Sequence, residues 1–218
     1  MIPKPLVGPR LMICEGPNDR AVFDALLDAR AIAGFEIAYP SKAETQTGGR
    51  NGFADLLVAL KLQRGISNIQ RLILVSDSDA NPANSFRAVT SQIQTAGDYG
   101  VPPSELHFVP SLSGLPEVAV FMIPDTNTPG QLEDLCLQAA YRRRSDLQPP
   151  LNTYCTAVVQ SSWSANRESK MRLRVLMASH YHKPNVGLRQ AWNARPGPLI
   201  PLNDPCFDRL VNFLLSVP

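Results

Sequence analysis

Carboxylates at the ends of apolar runs are the chemistry-bearing residues of this chain. In "LMICEGPNDRAVF" (residues 11–23) Glu15 follows an apolar stretch directly, and Asp19 comes four residues later across a Gly-Pro turn. A second apolar run, "RLILVSDSD", ends in Asp77 and Asp79. Side chains alternate across a strand, so two aspartates two residues apart share a side if the extended geometry continues. Like charges so placed repel and call for a cation or strong donors. Carboxylate oxygens without His or Cys are the ligand type of Mg²⁺ or Mn²⁺. Three of the acids also have an ordinary role open to them, Asp19 as a helix-dipole partner and Asp77 and Asp79 as turn and cap residues before Asn81-Pro82, whereas Glu15 at the end of an apolar strand must be exposed in a cleft or paired.

The elements that must position these acids are legible in the hydrophobic pattern. "RLMIC", "FEIAYP", "QRLILVSDSD", "ELHFVP" and "VAVFMIP" read as strands. "NDRAVFDALLDARAIAG" reads as a helix with Asn18 as N-cap and Gly34 as its stop, and "FADLLVALKLQRG" and "NPANSFRAVTSQIQTAG" read as helices two and three. Strands alternating with helices predict an α/β core with a mainly parallel sheet over residues 1–125. In such sheets ligands bind beyond the carboxyl ends of the strands, where Glu15 and Asp77 fall. Residues 126–218 turn helical ("GQLEDLCLQAAYRRR", "LNTYCTAVVQSS", "ANRESKMRLRVLMASHYH", "CFDRLVNFLLSV"), with a Pro/Gly-rich loop "NARPGPLIPLNDP" before the last helix, and are expected to pack on the core as one structural unit.

Composition bounds the function classes. The 218 residues are 44% hydrophobic and 18% charged, too apolar for a disordered chain. Four well-spaced cysteines read as reduced, buried thiols rather than a zinc site. No apolar run approaches the ~18 residues of a membrane span, and no signal-peptide core survives the N-terminal prolines, so a soluble cytoplasmic protein is expected. The net charge of +2 is unevenly spread: residues 1–125 carry ten Lys and Arg against thirteen Asp and Glu, whereas residues 126–218 carry eleven against six. That split suits metal ions in the first part and phosphates in the second, or is scatter on a solvated surface.

Glu15-Gly16 after a first strand, followed by Asp77-Ser78-Asp79 after a later one, resembles the TOPRIM domain shared by topoisomerases, bacterial primases, small maturation ribonucleases and overcoming-lysogenization-defect (OLD) nucleases. The form "EGPNDRAVF" is most similar to OLD-type and small stand-alone members, and the resemblance covers about residues 10–125. It implies a TOPRIM-like Rossmannoid α/β fold with a sheet of about four strands. It further implies one or two Mg²⁺ or Mn²⁺ ions held by Glu15, Asp77 and Asp79, with Asp19 as the additional OLD-type acid, and Glu15 able to act in acid–base chemistry. Glu133 is the candidate for a further metal-binding acid, though it and Asp134 also stand at a helix start, where acids cap. The loop Gly48-Gly49-Arg50 resembles a phosphate-contacting loop, or is simply flexible.

Lys170 is the candidate to neutralise the transition state, with Arg172 and Arg174 beside it, or the three are simply a solvated basic helix face. Arg142, Arg143 and Arg144 form a basic cluster that meets a nucleic-acid backbone or, equally, serves the helix dipole. His180 and His182 flank Tyr181 as a metal pair or, the commoner case, mark a surface loop or helix end.

These expectations combine into a metal-dependent nuclease acting on DNA or RNA. No Walker A loop is present, so an ATPase of the OLD kind would act from a separate chain. Two alternatives are a TOPRIM-like interaction module without catalysis and a glycosyltransferase using Asp77-x-Asp79 to hold a metal and a nucleotide-sugar.

Overall fold

The computed structural model describes residues 2, 6–42, 45, 47–112, 114–158, 163–192 and 197–218. The C-terminal end of the expected helix over 151–162, part of the loop over 193–205 and one residue of the loop over 45–52 lie outside them. Four strands, β1 (Arg10–Ile13), β2 (Phe35–Ala38), β3 (Arg71–Asp77) and β4 (Glu117–Ile123), form one sheet in the order β2-β1-β3-β4. All three pairings are parallel, with Leu11 opposite Glu36 and Leu72, and Asp77 opposite Ile123.

The strand residues alternate between two cores. Met12, Ile73, Val75, Ala119, Phe121 and Ile123 face one side, and Leu11, Ile13, Leu72, Leu74, Val118 and Val120 the other. Helix α1 (Pro17–Ala29) lies on the first side through Val22, Phe23 and Leu26. Helices α2 (Phe53–Lys61) and α3 (Pro82–Ala96) lie on the second through Phe53, Leu57, Val89 and Ile93. Sheets covered on both faces need such continuous apolar strands.

Helices α4 (Leu132–Arg143), α5 (Gln148–Val158), α6 (Ala165–Tyr181) and α7 (Asp208–Ser216) complete the order. Their apolar residues, from Leu132 and Cys136 to Leu176 and Phe213, merge with the α1 side of the sheet in one continuous core. The helical part is thus built onto the sheet; Phe213 of α7 meets Phe121 of β4 at 5.6 Å between ring centres. Of the cysteines, Cys14, Cys136 and Cys155 are buried, and all four are free. Among the described residues no helix is long and apolar enough to cross a membrane.

Three local expectations are corrected. "ELHFVP" is not a strand: Leu106 takes a left-handed backbone (φ 63°), which breaks extension, and only Val109 bridges to Val118. Helix α1 starts with Gly16 as N-cap and Pro17 in the first turn rather than at Asn18, because a fixed proline φ suits that position. It ends at Ala29, with Ala31 already left-handed, before Gly34 is reached.

Candidate functional site

The order β2-β1-β3-β4 reverses direction between β1 and β3: the chain leaves β1 for one edge and returns to pair on its other side. A crevice opens at the carboxyl end of such a switch point. Glu15 follows β1 and Asp77 ends β3, so the two acids are placed on either side of it. A cleft of about 590 Å³ lies there, lined by Glu15, Asp19, Asp77 and Glu133, by Lys170 and Arg174, and by Gly49, Leu173 and Met177 among others.

Glu15 is held through one oxygen. Its Oε1 accepts the Ser76 hydroxyl at 2.5 Å, the Arg50 guanidinium at 3.0 Å and the Asp77 amide at 3.2 Å. No described donor reaches Oε2. Asp77 continues the β3 alternation onto the α1 side, where its Oδ1 accepts the Leu132 amide at 2.9 Å, in the first turn of α4. That contact satisfies a helix-end donor and sets a carboxylate against the positive end of the helix.

Burial and mutual repulsion shape the titration of the cluster. Asp19, half-buried, is pushed up to about 7, by burial first and then by the charges of Glu15 and Glu133. Asp77 is raised well above the carboxylate range by burial and by Glu15, Asp19 and Glu133. Glu133 is raised by burial, against the pull of Lys170, whose Nζ is 3.8 Å from its Oε1.

Asp79 departs from the sequence expectation. Its backbone is left-handed (φ 51°) and exchanges amide bonds with Gly130, both at 2.9 Å, so the extended geometry ends at Ser78. Its Oδ2 accepts from Arg50 at 2.8 Å and its Oδ1 from the Asn166 amide. Asp77 and Asp79 therefore do not face one ion side by side. Arg50 is equally committed: besides Glu15 and Asp79 it donates to the Ser76 hydroxyl at 2.7 Å and the Asp77 carbonyl at 2.5 Å. Burial lowers its pKa, and Glu15 and Asp79 more than reverse that.

Gly49 lines the cleft with a left-handed backbone (φ 66°), and Gly48 lies against the Lys42 side chain instead. Asp134, not Glu133, caps α4, accepting the Gln131 amide at 2.9 Å. Glu133 is thereby left to the cleft.

The basic residues divide by position. Lys170 and Arg174 share the α6 face toward the cleft, whereas Arg172 turns away to Glu168 at 2.6 Å and Asn152 at 2.8 Å. Arg142, Arg143 and Arg144 end α4, about 18 Å along the helix from Leu132. Arg142 pairs with Asp204 at 2.5 Å and Arg144 with Asp146 at 2.8 Å, so the cluster is not a wall of this cleft. His180 contacts Arg144 and the Gly197 carbonyl, and His182 is the left-handed C-cap of α6.

The donor set fits Mg²⁺ or Mn²⁺ in kind: hard oxygens, repelling one another in a partly dry cleft. Among the described residues, no three His, Cys, Asp or Glu side chains are already converged on one point, so gripping an ion takes side-chain rotation.

Against this geometry stands one comparison. A family model described as "Protein of unknown function (DUF3226)" matches residues 9–217. The chain belongs to the DUF3226 family. Comparison with curated proteins and with solved structures returned no match. The match runs through both the sheet and the C-terminal helices, in keeping with their shared core.

In this DUF3226 chain, residues that sequence reading passed over hold the site together. Ser76 positions Glu15, Asn166 holds Asp79, and the Leu132 amide holds Asp77. Ser76 carried a signal, as a polar residue at an inward position of "LILVSD" that must find a buried partner. Asn166 and the segment Pro184–Leu188 that closes the cleft carried none, since only the tertiary fold brings them there.

Proposed function

We propose that this DUF3226 chain catalyses Mg²⁺- or Mn²⁺-dependent phosphoryl transfer on nucleic acid in the cytoplasm, hydrolysing phosphodiester bonds at a TOPRIM-like site. The observation that carries the reading is one cleft lined by both charges: the acids Glu15, Asp19, Asp77 and Glu133 together with the bases Lys170 and Arg174, Lys170 Nζ lying 3.8 Å from Glu133 Oε1. When bound, the ion supplies Lewis-acid polarisation of the phosphoryl group and neutralises the acids. Glu15 Oε2, Asp77 Oδ2, Asp19 and Glu133 are the oxygens that would hold it. Lys170 and Arg174 bind the phosphate and offset charge that builds on its oxygens. Leu173 and Met177 line the same cleft with apolar surface. An ATPase on a separate chain, in phage defence or DNA repair, remains part of this reading by family analogy alone.

The test is cleavage of labelled single- and double-stranded DNA and RNA with Mg²⁺ or Mn²⁺. Loss of cleavage in Asp77→Asn supports the reading, and no cleavage by the unaltered chain with any metal or substrate sinks it. A second reading, a binding module without catalysis, is favoured by the Arg50 contacts, which neutralise Glu15 and Asp79 without any ion. Metal-independent nucleic-acid binding without cleavage would select it. The glycosyltransferase reading loses its support, because Asp79 is turned to Arg50 and Asn166 rather than paired with Asp77.

A further inference from the structure

Arg50 stands where a cation between Glu15 and Asp79 would stand. One terminal nitrogen of its guanidinium donates to Glu15 Oε1 at 3.0 Å, to Asp79 Oδ2 at 2.8 Å and to the Asp77 carbonyl at 2.5 Å. Its Nε reaches the Ser76 hydroxyl at 2.7 Å, and that hydroxyl in turn donates to Glu15 Oε1 at 2.5 Å. The side chain is 15% exposed, so solvent screens these charges weakly. A guanidinium offers no lone pair and keeps its charge at any physiological pH. An ion bridging Glu15 and Asp79 would have to displace it and leave a buried charge without partners. Asp79 has a further tie, to Asn166, that holds it on the Arg50 side.

We propose that Arg50 is a positioning residue that takes the place of a second cation: it fixes and neutralises Glu15 and Asp79, so that the cleft admits a single divalent ion on the Asp77 side. This rests on the metal-dependent reading above. Arg50 is then no phosphate contact. It presents Glu15 to the cleft through Oε2, and the phosphate falls to Lys170 and Arg174.

The experiment is titration of the purified full chain with Mn²⁺, followed by calorimetry and by the electron-paramagnetic signal of free Mn²⁺. The unaltered chain is expected to bind one ion. Arg50→Lys keeps a cation in place and is expected to keep that count. Arg50→Gln frees Glu15 and Asp79 and is expected to bind a second ion, with the first weakened by about 10- to 100-fold as its orienting contact is lost. Should Arg50→Gln fail to fold, Asp79→Asn decides: one ion still bound supports the proposal, and loss of the ion overturns it. Two ions on the unaltered chain, or a single ion of unchanged affinity in Arg50→Gln, overturn it too. No ion on the unaltered chain is a separate outcome, which ends the metal-dependent reading itself and this inference with it.

Discussion

Ser76 donates its hydroxyl to Glu15 Oε1 at 2.5 Å, joining β3 to the turn just past β1 across 61 positions of sequence. Ser76 is buried, and its partner is a carboxylate at the mouth of the cleft. Ser76→Ala removes a hydrogen bond to a charged group, and the expected cost is about 1.5–3 kcal/mol of unfolding free energy. Chemical denaturation with and without Mn²⁺ measures it; a change below a few tenths of a kcal/mol would show that Arg50 and the Asp77 amide suffice to hold Glu15.

Lys170 and Arg174 face the cleft, whereas the arginines at the end of α4 do not. Lys170→Ala is expected to slow cleavage by about 10²- to 10³-fold, the scale of losing one charge-stabilising donor. Arg143→Ala should leave the single-turnover rate unchanged and at most weaken binding in a salt-dependent way. Single-turnover rates at two salt concentrations separate the two, and equal losses in both variants would move the substrate path to the α4 end.

The acidic cluster gives the metal-free protein a pH dependence of definite sign. Asp19 titrates at about 7 in the folded chain, against 3.8 for an ordinary aspartate, and Asp77 and Glu133 are raised as well. Between those values the folded chain keeps protons that the unfolded chain releases, so this contribution to stability is present at low pH and is lost as pH rises through 7. Denaturation midpoints in a chelating buffer should fall from about pH 5 to about pH 8, and Asp19→Asn should flatten the slope. Added Mn²⁺ at the upper end should restore the midpoint. A midpoint that climbs with pH across this window, with Asp19→Asn unchanged, would contradict the burial of Asp19.

Asp204 is buried, accepts Arg142 at 2.5 Å and the Cys206 amide at 2.9 Å, and has its pKa lowered despite its burial. Asp204→Ala takes away both a cap and an ion-pair partner, and a loss of about 1–2 kcal/mol is expected. Mn²⁺ affinity, measured on the folded variant, should not change, since this pair sits at the far end of α4.

The fold was legible because its strands are strongly patterned: "RLMI" and "LILV" are apolar without a break, as strands buried on both faces must be. The acids at their ends followed from that reading, and Glu15, Asp19, Asp77 and Glu133 do line one cleft. Asp79 misled as a metal ligand because alternation assumes an extended backbone; the left-handed turn at that residue is in keeping with the other reading, a turn before Asn81-Pro82. Arg50 misled for a different reason. A Gly-Gly-Arg loop invites a phosphate, but three acceptors, from β3 and from Glu15 in the turn past β1, reach the guanidinium first, and none is near it in sequence. The arginine cluster after Tyr141 looked like a nucleic-acid surface until Asp204 and Asp146 took two of its members.

Every contact that closes the cleft joins distant parts of the chain: Glu15 to Asp77 across 62 positions, Asp77 to Leu132 across 55 and Asp79 to Asn166 across 87. Closing such loops carries an entropic cost that only the finished core offsets. The cluster therefore has no local precursor: a chain that ends before α6 contains β1 and α1 but neither the Asn166 tie nor Lys170. Assembly of the site is itself the safeguard, since the carboxylates meet Lys170 and Arg174 only once the chain extends through α6.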